Sequence, residues 1–137
     1  MRQPADTSSL RSRDALHRYV AGFVDERSLA ARITTVLAAI GEPVVSDLVD
    51  DPRFRITVDG DRVGVWLCPP HPGGGASRSV VLKRSLAHCS CAFACYVIAH
   101  ELAHAYLRNG PWGQIDDPEL AADALAASWG FGRPAHR

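Results

Sequence analysis

Inside an apolar stretch, Val97-Ile98-Ala99-His100-Glu101-Leu102-Ala103-His104-Ala105-Tyr106-Leu107, this chain carries an HExxH motif. The motif limits what the chain can fold into. His100 and His104 stand one helical turn apart, so both imidazoles reach a single metal ion only if the segment is a helix. Glu101 then points toward the same ion and can serve as a general base. The flanks, 91–99 and 105–107, are almost wholly apolar, so the helix is expected to be buried. Burying His, Glu and His on adjoining faces costs heavily in desolvation unless a metal or strong partners compensate. The plainer reading of the same residues is a pair of satisfied core histidines with a stray Glu. The rest of the fold must therefore supply a third ligand and leave one coordination position open for water.

Histidine does not supply that ligand. The HExxHxxGxxH pattern needs an imidazole where Gly110 stands, and His136 is the one histidine downstream of His104. Acidic residues are better placed. Asp117-Pro118-Glu119 is a helix start, with Asp as N-cap, Pro at the first helical position and an acidic residue in the first turn. The predicted helix runs on from Leu120 through Trp129 and ends near Gly130. Glu119 and Asp123 share one of its faces, which makes Glu119 the expected third zinc ligand. Asp123 is expected behind it, accepting a proton from a ligand imidazole and fixing its tautomer. Without the motif, the two carboxylates read as a favourable charge at a helix N-terminus and a solvated side chain. The surrounding alanines let two helices approach closely, as a shared metal requires.

HELAH followed by Glu-x-x-Ala-Asp on the next helix resembles the gluzincin metallopeptidases, above all the small bacterial and phage domains of the ImmA/IrrE type. The likeness spans roughly residues 54–131, and its specific part lies within 97–107 and 119–126. It implies a hydrolase with one zinc ion per chain held by His100, His104 and Glu119. Glu101 becomes the catalytic base, and Asp123 the support of a ligand His. Many relatives continue after the position of Phe131 into helices that complete the cleft; few residues follow it here, and no separate DNA-binding domain is evident.

The remaining residues fall into an order that suits such a domain. Residues 1–8 are polar and expected to fray. Leu10, Leu16, Tyr19, Val20 and Phe23 form a helical stripe, and a second helical stretch runs from about Arg27 to Ile40 before Gly41 and Pro43. These are one long helix or two, and Val44 to Asp51 forms a short helical turn. Then the period changes to two. Phe54 to Val58 alternates, Asp59-Gly60 signals a tight turn, Arg62 to Leu67 reads as a second strand and Ser79 to Lys83 as a third. Between the last two lies the loop Pro69–Gly75, a connector without the Lys and Ser/Thr of a phosphate-binding loop. The expected fold is one α+β domain over 1–137, minimal and zincin-like. Its N-terminal helical part spans 9–51, followed by a small, three-stranded, mostly antiparallel sheet, the HExxH helix and the Glu119–Asp123 helix. Val80-Val81-Leu82 is the candidate edge strand beside the cleft, where an extended peptide can pair.

At 137 residues the chain is sized for one domain. Its formal net charge of zero, with Arg11, Arg13 and Arg18 interleaved by Asp14, Asp25 and Glu26, offers no basic face for nucleic acid or anionic membrane. The first residues lack an apolar leader and no run reaches membrane-spanning length, so cytoplasmic residence is the expectation. Cys68, Cys89, Cys91 and Cys95 match no common zinc-ribbon spacing. They read first as reduced, structural thiols, with a second metal or a Cys68 disulfide as alternatives.

Together these observations predict a zinc metallo-endopeptidase that hydrolyses a peptide bond through a zinc-activated water, with Glu101 as general base. Its partner is a peptide or protein substrate. Candidate oxyanion donors are Tyr106, Tyr96, His71 and His88. The alternative is a metal-binding regulatory or interaction module on the same scaffold, without turnover; Glu101 argues against it, because a pure binding site needs ligands but no base.

Overall fold

The structure, a computed structural model, describes residues 12–59 and 78–135. Its elements are α1 (Arg13–Ala21), α2 (Arg27–Ile40), α3 (Glu42–Val49), β1 (Phe54–Asp59), β2 (Arg78–Lys83), a short 3-10 turn (Arg84–Ala87), α4 (Cys91–Leu107) and α5 (Pro118–Ser128). The N-terminal stretch is two helices, each with its own cap. The Ser12 hydroxyl accepts from the Ala15 N–H, and the Glu26 carboxylate accepts from the Leu29 N–H. Pro43 does more than bar continuation of α2. It sits in the first turn of α3, where its missing N–H costs nothing.

The sheet corrects the expectation of three mostly antiparallel strands. Among the described residues it has two strands, paired in parallel, with Phe54 opposite Arg78 and Asp59 opposite Lys83. The expected Asp59-Gly60 turn leads into the strand at Arg62 to Leu67, outside the described residues; the strand paired with β1 is the one expected third, and it runs parallel. A parallel pair needs a longer crossover, and residues 60–77 separate these strands. Alternation could not have given the direction. Phe54 and Ile56 in β1, and Arg78, Val80 and Leu82 in β2, point inward at every second position, a pattern identical in either orientation. The strand expected at Arg62 to Leu67, the 69–75 loop with His71, Cys68, residues 1–8 and His136 lie outside the described residues.

α4 is the central element, packed against α2, α3, β2 and α5. Ile98, Ala99 and Leu102 have at most 1% exposure, as befits a helix that is apolar nearly all round. Val20, Leu29, Ile33, Leu37, Leu48 and Leu82 fill the core beneath it, each burial worth about 1.5–3 kcal/mol. α5 meets α4 through alanines. Ala99 and Ala103 on one side, and Ala121, Ala122 and Ala126 on the other, are fully buried, and these small side chains let the two backbones come close.

One buried charge locks this arrangement. The Arg78 side chain has no exposure and heads β2. It donates to Ala105 O at 3.1 Å and Tyr106 O at 3.3 Å in the last turn of α4. From α3 it takes Asp47 Oδ2 at 2.5 Å and Asp47 O at 2.9 Å, and just past that helix Asp51 Oδ2 at 3.1 Å. Five acceptors compensate a guanidinium taken out of water. No helix among the described residues is long and apolar enough to cross a membrane.

Candidate metal centre

α4 begins at Ser90, whose hydroxyl accepts from the Phe93 N–H, and carries His100, Glu101 and His104 in its second half. It ends abruptly. Arg108 and Asn109 both adopt left-handed backbone, with φ of 54° and 60°, and the Asn109 N–H returns to His104 O at 2.9 Å. A small turn closed by the Trp112–Ile115 bridge leads to Asp117. The Asp117 carboxylate accepts from the N–H groups of Glu119 at 2.8 Å and Leu120 at 3.4 Å, which starts α5 and fixes Glu119 opposite the HExxH face.

The structure brings His100, His104 and Glu119 to one point. His100 Nε2 lies 3.1 Å from His104 Nε2 and 3.1 Å from Glu119 Oε1, and His104 Nε2 lies 3.2 Å from Glu119 Oε2. On its far side, His100 Nδ1 donates to Asp123 Oδ1 at 2.8 Å, so in the neutral ring Nε2 carries a lone pair. With Glu119 ionised, protons on the two rings do not satisfy all three contacts. A proton on either Nε2 serves Glu119, but protons on both put two N–H groups face to face at 3.1 Å. A cation at the centre satisfies every one. Ligands about 2.05 Å from a tetrahedral zinc stand about 3.3 Å apart, close to the separations found. Among the described residues these three form the group able to hold a metal ion, and the donor set of two imidazoles and one carboxylate suits zinc with an open fourth position.

Glu101 lies beside this group and outside it. Burial pushes its pKa up and outweighs the pull of His104 and His100, while Glu119 adds to the rise. Together with Ser79, His104, Ala105, Asn109 and Glu119, it lines a pocket of about 220 Å³ between β2, α4 and α5.

Two residues support the site in ways the sequence reading did not assign: Tyr96, expected only as a candidate oxyanion donor, and Arg133, which it did not single out. The Tyr96 hydroxyl donates to Asp123 Oδ1 at 2.7 Å. Arg133 Nη2 lies 3.7 Å from Asp123 Oδ2, and its guanidinium is 5.0 Å from the Tyr96 ring centre. Burial works to raise the Asp123 pKa, but the Tyr96 and His100 hydrogen bonds and the Arg133 charge hold it below the usual value. Burial and the Asp123 hydrogen bond push the Tyr96 phenol up to about 12. Tyr96 precedes His100 by one turn, a spacing that could have exposed its role. Arg133 reaches back from beyond α5 and left no signal. His104 has no such support: its Nδ1 is buried without a hydrogen-bond partner among the described residues.

Of the other oxyanion candidates, Tyr106 and His88 are among the described residues and neither lines the pocket. Tyr106 packs against apolar clusters, and His88 is exposed at the end of the 3-10 turn. Cys89, Cys91 and Cys95 are free thiols. Cys91 and Cys95 are in contact with Sγ atoms 3.9 Å apart, and burial, then the Cys91 contact, pushes the Cys95 thiol up to about 11. Scanned against protein-family models, curated proteins and solved structures, this chain found no match.

Proposed function

We propose that this chain is a zinc-dependent peptidase of the gluzincin type that acts on a peptide or protein in the cytoplasm. The observation that carries the reading is the meeting of His100 Nε2, His104 Nε2 and the Glu119 carboxylate with separations of 3.1–3.2 Å, the spacing of ligands around one ion. His100, His104 and Glu119 would hold one zinc ion. When bound, the ion supplies a Lewis acid for the substrate carbonyl and makes a water acidic enough to lose its proton near neutral pH.

The chain's own groups do the rest. Glu101 takes the proton from the water as its oxygen adds to the carbonyl carbon. The C–N bond then breaks, and Glu101 passes that proton to the leaving amine. Glu101 lines the same pocket as His104 and Glu119, which puts the base beside the water that the ion would hold. Asp123 keeps the proton of His100 on Nδ1 and the Nε2 lone pair aimed inward. Ser79 places β2 on the wall of the pocket, so an extended peptide lying along β2 would pass the base.

The test is hydrolysis of fluorescein-labelled casein by the zinc-loaded chain and by zinc-loaded Glu101→Gln. The reading expects turnover in the first, and a loss of about 100-fold or more in the second with zinc retained. Equal rates in the two proteins would contradict it. Absence of turnover in a zinc-loaded wild type would favour a metal-binding module instead.

A further inference from the structure

We propose that Asn109 is a further catalytic residue, its side-chain amide donating a hydrogen bond to the carbonyl oxygen of the bound peptide as negative charge develops there. The inference rests on the peptidase reading and names a group that the HExxH pattern does not supply.

A tetrahedral intermediate gains from a donor aimed at its oxygen beside the metal, and the described residues of the pocket supply few. Glu101 and Glu119 are acceptors when ionised, His104 is committed as a ligand, and the Ala105 methyl group is no hydrogen-bond donor. The Tyr96 hydroxyl is already given to Asp123 at 2.7 Å. Tyr106 is turned into apolar packing, and His88 does not line the pocket. Among the described residues that line the pocket, the remaining side-chain donors are Asn109 and Ser79, and Ser79 already takes part in another interaction.

Asn109 is also held as a functional donor should be. Its φ of 60° lies in the left-handed region, which asparagine enters at lower cost than most residues. Its backbone N–H is fixed on His104 O at 2.9 Å, so its Cα is tied to the turn of helix that carries a metal ligand. The residue is exposed, and among the described residues no hydrogen bond occupies its carboxamide. A left-handed backbone pinned to His104 O thus presents the carboxamide on the wall that also carries Glu101.

The experiment uses the full chain loaded with cobalt(II), whose visible absorption reports ligand binding, and acetohydroxamate, whose carbonyl oxygen stands in for the reacting one. Asn109→Gly removes the side chain while keeping a residue at ease with φ of 60°. Asn109→Asp keeps the shape and removes the donor, and Ser79→Ala is the comparator. The proposal expects all four proteins to bind one cobalt ion. Acetohydroxamate should bind about tenfold more weakly to both Asn109 variants, and casein turnover by the zinc forms should fall about 100-fold in kcat with KM little changed. Ser79→Ala should stay within about threefold of wild type in both readouts. Unchanged hydroxamate affinity in Asn109→Gly, or a loss confined to Ser79→Ala, would overturn it. Failure of the wild type itself to bind cobalt or hydroxamate would sink the peptidase reading, and this proposal with it.

Discussion

Asp123 Oδ1 accepts from His100 Nδ1 at 2.8 Å, and that contact sets which nitrogen of His100 faces Glu119. The same oxygen accepts from the Tyr96 hydroxyl, so one carboxylate holds the imidazole and is itself held. Removing it frees the ring to rotate and to change tautomer. Asp123→Ala should weaken zinc binding by about 10- to 100-fold, measured by competition with a chromogenic chelator. An affinity within twofold of wild type would mean that the contact does not orient the ligand.

The helix contact that delivers Glu119 is built from residues with almost no side chain. Ala122 and Ala103 are both fully buried where α5 meets α4. Ala122→Leu should push the helices apart at a cost of about 1–3 kcal/mol and lower zinc affinity by moving Glu119 away from the histidines. Thermal unfolding with and without zinc checks both effects. A variant as stable as wild type, with the same gain from zinc, would show that the contact is looser than described.

Arg78 ties β2, α3 and the end of α4 together from a fully buried position. Arg78→Leu removes the charge but leaves Asp47, Asp51 and three carbonyls short of a donor. The expected loss is about 3 kcal/mol in urea unfolding. A loss under about 1 kcal/mol would mean that water and neighbouring groups replace the guanidinium readily.

Asp51 gives the fold an acid limit. Hydrogen bonds from the Arg53 side chain and N–H, then the Arg53 charge and one hydrogen bond from Arg78, lower its pKa from the ordinary 3.8 to about 2. Because the folded value lies below the unfolded one, folding favours the ionised form. The resulting stability is present above about pH 4 and fades as pH falls toward about 2. The stability gap between wild type and Asp51→Asn should therefore hold near neutrality and shrink across that window. A gap that stays constant from about pH 6 to about pH 2 would contradict the assignment.

The sequence disclosed what is encoded locally. The HExxH spacing places three groups on one side of α4 whatever the rest of the fold does. Asp117, Pro118 and Glu119 announce the start of α5 because capping is settled within a few residues. Pairing direction is not local. The alternation of Phe54–Asp59 and of Arg78–Lys83 is the same in either orientation, and the two strands pair in parallel across residues 60–77. Arg78 was illegible for a similar reason. An arginine heading a strand reads as solvent-facing until Asp47 and Asp51, far back in the chain, are brought beneath it. Asn109 hid in a turn, since only the left-handed end of α4 brings it to the pocket wall.

The central claim is that His100, His104 and Glu119 hold a metal. It is tested most directly by metal content, by mass spectrometry, on the purified chain and on His100→Ala, Glu119→Ala and Glu101→Gln. The account predicts about one zinc per wild-type chain, loss in the first two variants and retention in the third. Absence of zinc in the wild type, with none taken up on addition, would contradict it, as would zinc that survives both ligand substitutions.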